Sequence, residues 1–511
     1  MDDIIRAGDD TDEENYSKYL ETYELKELIT TLENKKKELA ESGNLDAICD
    51  LGYLYYYGFG NTAPDIDKGV YYWCTAANLG NAVAQDAMAW CYECGVGVEK
   101  NLFTAVDLKM KAANGGYSYA QFDVGNYFYY GYSEVNIEPN AEIAYSWYKK
   151  AADQNNGNAQ LMVAYCLENG IGTDTNEDKS IEYYEKSASN GIAEAYLNLA
   201  NIYSRKKMYD KSLELYKMAV DGKNYLAAVN ISDYYCMVEE SVDEAIKWIN
   251  IAIDNNAIDK STLPQLCNVG CLCYGEQKFE KAKHYFKKCL EYDANYIDAL
   301  HMLGKCYLLG RGVSENIPLA LDYFNRCVLL GDAESEYFVA ECCLKGNIVL
   351  SPEFSDSKDE AFRHYYNAAE ACVDSGNKYL EGVSNLCMAE LWLVGSELSP
   401  YDENNNFDNT NISMADFQLQ KAAECGNEDA MFELGHKYMS FDYDEARSYF
   451  ESAKSIFIAD GNQQKVEYID SILELLSSSS QEANNYLHKL NWEWMNRRRE
   501  QAFYNLGLSK E

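Results

Sequence analysis

The chain has 511 residues, too many for one ordinary hydrophobic core, so it holds several domains or one extended repeat array. It is 47% hydrophobic and 25% charged with only 6 prolines, which excludes a disordered chain and permits many helices. A formal net charge of -39 disfavours nucleic acid and anionic membrane surfaces; the acidity either suits a basic protein partner or only keeps the chain soluble.

The N-terminal stretch MDDIIRAGDDTDEEN has no basic region followed by an apolar core, so we expect no secretory leader. No run approaches the roughly 18 apolar residues that span a bilayer. The expected location is cytoplasmic, where the 17 cysteines stay reduced and act as small hydrophobes. Residues 1–44 read as an acidic segment ending in a capping helix, with Leu20, Leu25, Leu28, Leu32 and Leu39 at loosely helical spacing and Gly43 as its stop.

From residue 45 the chain repeats. AICDLGYLYYYGFG (47–60), AQDAMAWCYECGVGV (84–98), AQFDVGNYFYYG (120–131), AQLMVAYCLENGIG (159–172) and ALHMLGKCYLLGRGV (299–313) align directly. Each carries an alanine, then an apolar–small pair, an aromatic three residues on, and glycine. The small member recurs as Gly52, Ala89, Gly125, Ala164, Ala200, Ser232, Gly270, Gly304, Ala340, Ala389 and Gly435, about eleven repeats. A second pattern follows each first one, as in YYWCTAANLG (71–80) and YSWYKKAADQNNG (145–157). Its aromatic and small residues share one helical face and its glycine is a C-cap signal. The spacing predicts a helical hairpin per repeat, the small residue letting the alanines of the second helix approach. The apolar period of three and four excludes strands.

The pattern A-x-x-x-L-G-x-x-Y-x-x-G-x-G-V followed by Y-W-x-x-A-A-x-x-G resembles the Sel-one-like repeat, a branch of the tetratricopeptide-repeat superfamily. The resemblance implies an all-α, right-handed α-solenoid of stacked helical hairpins. It is strong over residues 45–192 and 296–332. Over 193–295 the G-x-G-V connection is lost, and IYSRKKMYDKSLELYKMAV looks more like an ordinary tetratricopeptide repeat. Residues 296–461 return to the first type, with inserts at 347–358 and 396–414 that read as surface loops.

Residues 462–511 read as C-terminal capping helices and a tail. There Trp492, Trp494, Arg497, Arg498 and Arg499 form a basic–aromatic cluster. It is either a cap on the last repeat or a docking segment for an acidic partner or the solenoid's own groove.

The sequence offers little to catalysis or cofactors. The GFG, GVG, GIG and GRG turns lack a phosphate-loop context, and G-x-S-x-G and H-E-x-x-H do not occur. Five histidines are scattered. Cys91 and Cys94, or Cys267, Cys271 and Cys273 with His284 and Cys289, could be read as zinc ligands. Cys267 and Cys271 sit four apart on a first helix, where the core wants small apolar groups, so packing is the better account and we expect no metal and no cofactor. Secreted members of the resembled family pair cysteines eight residues apart, and no two cysteines here have that separation. That weakens any transfer of their claimed penicillin-binding activity, so a cell-wall or β-lactam hydrolase is the weaker alternative.

With the small residue inside the hairpin, the outward stripe of the first helix lies three residues before it and one and four after it. It carries Tyr53, Tyr56, Trp90, Phe122, Tyr129 and Tyr165 in the first four repeats, and Asn201, Asp233, Lys305, Glu341 and Glu390 beyond. The expected function is a non-enzymatic scaffold or adaptor binding a peptide segment or subunit in this concave groove. A regulatory subunit autoinhibited by its own tail is the alternative.

Overall fold

In a computed structural model, residues 34–58, 63–332, 334–351, 356–394, 409–439 and 442–478, with 483, 486, 487, 489, 490 and 506, are described. Apart from one bridge between Tyr132 and Ile137, all regular structure among them is helical.

The chain divides into two units, Met1–Ile231 and Ser232–Glu511. The first is a stack of antiparallel hairpins: α1 (Leu45–Tyr57) with α2 (Ile66–Asn78), α3 (Ala82–Cys94) with α4 (Leu102–Asn114), α5 (Ser118–Tyr130) with α6 (Ala141–Ala152), α7 (Gly157–Asn169) with α8 (Glu177–Ser189), and α9 (Ala193–Arg205) with α10 (Tyr209–Asp221). The boundary falls within α11 (Leu226–Met237). The second unit continues with α12 (Val242–Asp254). Four hairpins follow it: α13 (Leu263–Gly275) with α14 (Phe279–Tyr292), α15 (Ile297–Leu309) with α16 (Ile317–Leu329), α17 (Ser335–Gly346) with α18 (Ser357–Ser375), and α19 (Lys378–Val394) with α20 (Asn409–Glu424). A last hairpin, α21 (Glu428–Tyr438) with α22 (Tyr443–Ala459), precedes α23 (Gln463–Leu476).

The repeat's small residue seats an aromatic ring rather than the second-helix alanines. A Cβ on Gly52 would lie 2.2 Å from Trp73, one on Gly125 2.5 Å from Tyr148, and one on Gly304 2.7 Å from Phe324. All three rings are buried, so the smallest side chain on one helix makes room for the largest on the other. The alanines face onward: Ala76 and Ala77 share a core with Ala84 and Ala87, and Ala151 and Ala152 with Ala159. Each repeat thereby closes its neighbour's core, as stacked repeats must.

Two polar devices set the register. Asn101, Asn140 and Asn176 cap the second helices, each side chain accepting the amide three residues on at 3.0–3.1 Å. Their own amides bond back to the carbonyls of Tyr92, Phe128 and Leu167, which fixes the length of the intervening turn. The glutamine of the A-Q opening is the second device. Gln85, Gln121 and Gln160 donate to the carbonyls of Ala77, Ala113 and Ala152, satisfying the last turn of the preceding helix. At the second glycine of the G-x-G turn the backbone closes in further. Gly172 has φ +68° and its Cβ would meet the Ala141 carbonyl oxygen at 2.1 Å, so only glycine fits.

One boundary departs from the sequence reading. Residues 396–414 read as a loop, yet α20 begins at Asn409. The polar composition masks a helical period: Ala415, Leu419 and Ala422, spaced four and three apart, are buried.

Candidate functional site

The six stripe residues lie on the first helices of unit 1, in two groups. On α1 and α3, Tyr53 and Tyr56 both rest on buried Trp73, with centroids at 4.9 and 5.0 Å, and Tyr56 meets Trp90 edge-on at 5.7 Å. On α5 and α7, Phe122 and Tyr129 flank Tyr148 at 5.8 and 6.2 Å, and the Tyr165 phenol lies near that of Tyr129. Tyr148 donates its hydroxyl to Asn126 Oδ1 at 2.8 Å. Trp90 and Tyr165 are 39% and 38% exposed, whereas Tyr53, Tyr56, Phe122 and Tyr129 are half-buried. Those four are shared between core and surface.

Two residues outside the stripe extend it. Tyr57 stacks on Tyr53 at 6.4 Å and meets Tyr56 at 4.8 Å, while Tyr130 meets Tyr129 at 4.7 Å. They are 57% and 71% exposed. Periodicity assigns them to neither face because each ends its helix. The signal was their place directly after a stripe tyrosine. Burial first, and neighbouring phenols after it, hold the Tyr56 and Tyr129 hydroxyls above the usual tyrosine range, so both remain donors at neutral pH.

Carboxylates accompany the rings. Lys109 of α4 is buried and bridges Asp86 on α3 at 2.7 Å and Asp123 on α5 at 2.8 Å. Burial works to lower the Lys109 pKa, but the two carboxylates outweigh it and hold the ammonium above its ordinary value. Glu168 on α7 accepts the Tyr184 hydroxyl at 2.8 Å and Arg205 at 2.5 Å.

Beyond α7 the expected polar stripe is spent on packing. Asn201 accepts Tyr216 at 2.6 Å. In the second unit Asp233 accepts Asn268 at 3.0 Å, Glu341 accepts buried Tyr365 at 2.5 Å, and Lys305 lies over Phe338. Glu390 is only 4% exposed, so the outward reading fails there: α19 at 17 residues is longer than the 13-residue first helices of unit 1 and packs on both α18 and α20. Trp492, Trp494, Arg497, Arg498 and Arg499, with Leu20, Leu25, Leu28 and Leu32, lie outside the described residues.

One trio imitates a nucleophile site. His301 Nδ1 is 3.1 Å from Ser335 Oγ and 3.5 Å from Asp332, but the serine hydroxyl donates to Asp332 at 2.6 Å. Ser335 has no exposed surface. The serine proton therefore points at the acid rather than the base and no substrate reaches it, so the trio ties α15 to the start of α17. Among the described residues, no three or more His, Cys, Asp or Glu are grouped to hold a metal ion, and no helix is long and apolar enough to cross a membrane. Cys91 is buried while Cys94 is exposed, and burial pushes the Cys91 thiol up to about 12.

Antiparallel hairpins, several of them seating a second-helix ring on a first-helix glycine, define an α-solenoid of the tetratricopeptide type. The chain belongs to the Sel1 repeat family, whose model matches residues 45–81, 82–117, 118–156, 157–192, 297–332, 333–371 and 428–455. It is 30% identical over 145 residues to a chitin synthase regulator of Saccharomyces cerevisiae, covering 28% of this chain and 20% of that protein. It is 38% identical over 76 residues to chitin synthase regulatory factor 2 of Schizosaccharomyces pombe, 15% of each chain. Protein sel-1 homolog 2 of Mus musculus is 32% identical over 135 residues, covering 24% of this chain and 19% of that protein. The alignments thus span a fifth or less of these relatives' length. The crystal structure of a protective antigen from uropathogenic Escherichia coli strains with an SLR fold superposes with a TM-score of 0.64 at 19% identity, covering 94% of this chain and 98% of that one, a likeness of fold.

Proposed function

We propose that this chain is a non-enzymatic protein-interaction scaffold that holds an extended segment of a protein partner against the first-helix face of α1, α3, α5 and α7. The carrying observation is that Tyr57, Trp90, Tyr130 and Tyr165 stay open on this face while the second-helix rings Trp73, Tyr148 and Tyr184 are buried. Exposed rings backed by half-buried ones, as Tyr57 and Trp90 are by Tyr56 and Tyr130 by Tyr129, give large contact area with little loss of rotamer freedom, as binding anchors do. Regulators of chitin synthase among the similar proteins favour an adaptor that acts by holding a partner, in the cytoplasm where thiols stay reduced.

The test is affinity purification from the native cell with the intact chain and with a Tyr57→Ala, Trp90→Ala double variant. These two positions are preferred because Tyr56 rests on Trp73 and its removal would disturb the core. Loss of one or more partners from a variant with an unchanged melting curve supports the proposal. Identical partner lists overturn it.

A further inference from the structure

The aromatic face has a charge pattern that names its partner's chemistry. At the register where α1 and α5 place Tyr56 and Tyr129, α3 and α7 place Glu93 and Glu168. Across the stripe positions of these four helices stand the carboxylates Asp86, Glu93 and Glu168, and no lysine or arginine. Asp86 is neutralised from behind by Lys109. Glu168 is answered by Arg205, 37 residues further on. The residue 37 positions after Glu93 is Tyr130, so the position equivalent to Arg205 carries an uncharged ring. Among the described residues Glu93 forms no ion pair. It is half-buried one turn beyond Trp90 on the same stripe. Its charge is felt nearby: burial first, and Glu93 after it, hold the Tyr132 phenol above its ordinary range.

We propose that this face takes a basic, extended peptide segment, with one arginine or lysine seated on Glu93 and its stem lying against Trp90. The inference rests on the reading of the face as a docking surface and adds the partner's charge. A carboxylate beside an exposed indole suits a cation twice over, by a charge-assisted hydrogen bond and by the attraction of the ring face. The Arg205–Glu168 pair is the same exchange made within the chain. The surrounding acidity, -39 for the whole chain, attracts a basic segment from a distance, while Glu93 gives one of its side chains a fixed seat.

A random dodecapeptide phage library panned on the immobilised full chain tests this. Each selected peptide is then resynthesised and titrated against wild type, Glu93→Gln, and the Tyr57→Ala, Trp90→Ala double variant. Both variants are checked for an unchanged melting curve. The expected result is enrichment of arginine and lysine, with affinity falling about tenfold in Glu93→Gln and more steeply in the double variant. Basic peptides that bind Glu93→Gln as well as wild type overturn the proposal, because they report only general attraction to an acidic chain. Neutral or acidic peptides that depend on Tyr57 and Trp90 but not on Glu93 also overturn it, yet leave the docking surface standing. A panel that loses nothing in the double variant, or a library that yields no binder, overturns both readings.

Discussion

Gly125→Ala probes the glycine–ring packing that closes the α5–α6 hairpin. A Cβ at this position falls 2.5 Å from both Cδ1 and Cε1 of Tyr148, where carbon atoms normally sit about 3.5–4.0 Å apart. The ring must withdraw by about 1 Å to recover ordinary contact. It is fully buried, and its hydroxyl is tied to Asn126, the next residue along. Overpacking costs about 1–3 kcal/mol, and the displaced hydrogen bond adds about 1 kcal/mol. The better helix propensity of alanine offsets about 1 kcal/mol. The net expectation is a destabilisation of about 1–3 kcal/mol. Gly275→Ala is the control, because that helical glycine has nothing within 4 Å of its would-be Cβ; it should be neutral or gain up to about 1 kcal/mol. Long repeat arrays need not unfold in one step, so amide hydrogen exchange across α5 and α6 is read beside urea unfolding. Exchange should accelerate there in Gly125→Ala alone. If Gly125→Ala is as stable as Gly275→Ala, the ring is not seated on the glycine.

Lys109→Met leaves Asp86 and Asp123 facing each other without their cation. It should cost about 2–3 kcal/mol, less than a fully enclosed pair, because 39% of the Asp123 side chain is in solvent. The Lys109 pKa is raised, so its contribution is fully present below the unfolded lysine value of about 10.4 and is lost only as pH climbs through the higher folded value. Urea midpoints at pH 7 and 10 should show the same gap from wild type, and a gap that closes by pH 9 would contradict this. Gln121→Ala removes the bond to the Ala113 carbonyl and the one received from Gln154; the urea midpoint should fall by an amount equivalent to about 1 kcal/mol, and an unmoved midpoint refutes the role of this glutamine. His436 is 2% exposed and packed by Phe432, Phe450 and Tyr468, and burial lowers its pKa to about 4. A depressed folded pKa gives stability that is present above the unfolded value of about 6.5 and lost as pH falls towards 4, on the order of 3 kcal/mol at most. His436→Leu should flatten the acid limb of unfolding between pH 6.5 and 4, and equal slopes for the two proteins would sink the assignment.

The hairpins were legible because the small–aromatic register recurs at near-constant spacing, and each copy reinforces the others. What seats on Gly52 or Gly125 was not. Alanines and rings share the second-helix face at three- and four-residue steps, so periodicity does not say which of them crosses the hairpin and which reaches the next repeat. The volume of Trp73 and Tyr148, each seated against a glycine, settles it in three dimensions. The placement of Tyr53, Tyr56, Trp90, Phe122, Tyr129 and Tyr165 on the first helices followed from helical geometry, but their degree of exposure did not. Tyr56 is drawn inward by Trp73, whereas Tyr57 and Tyr130 are left open by the end of their helices. Glu390 shows the same limit, since a stripe position stays open only where neighbouring helices are short enough to leave it so. The loop reading at 409–414 failed because asparagine and threonine are as common in a helix's first turn as in a loop.

A site-specific photo-crosslinker tests most directly whether the partner docks on the first-helix face. Benzoylphenylalanine is placed at position 90, and separately at position 103, where Phe103 is 62% exposed on the second helix α4. After irradiation in the native cell, position 90 should yield a discrete adduct with a partner and position 103 should not. An adduct from position 103 alone, or the same adduct from both, would contradict the account.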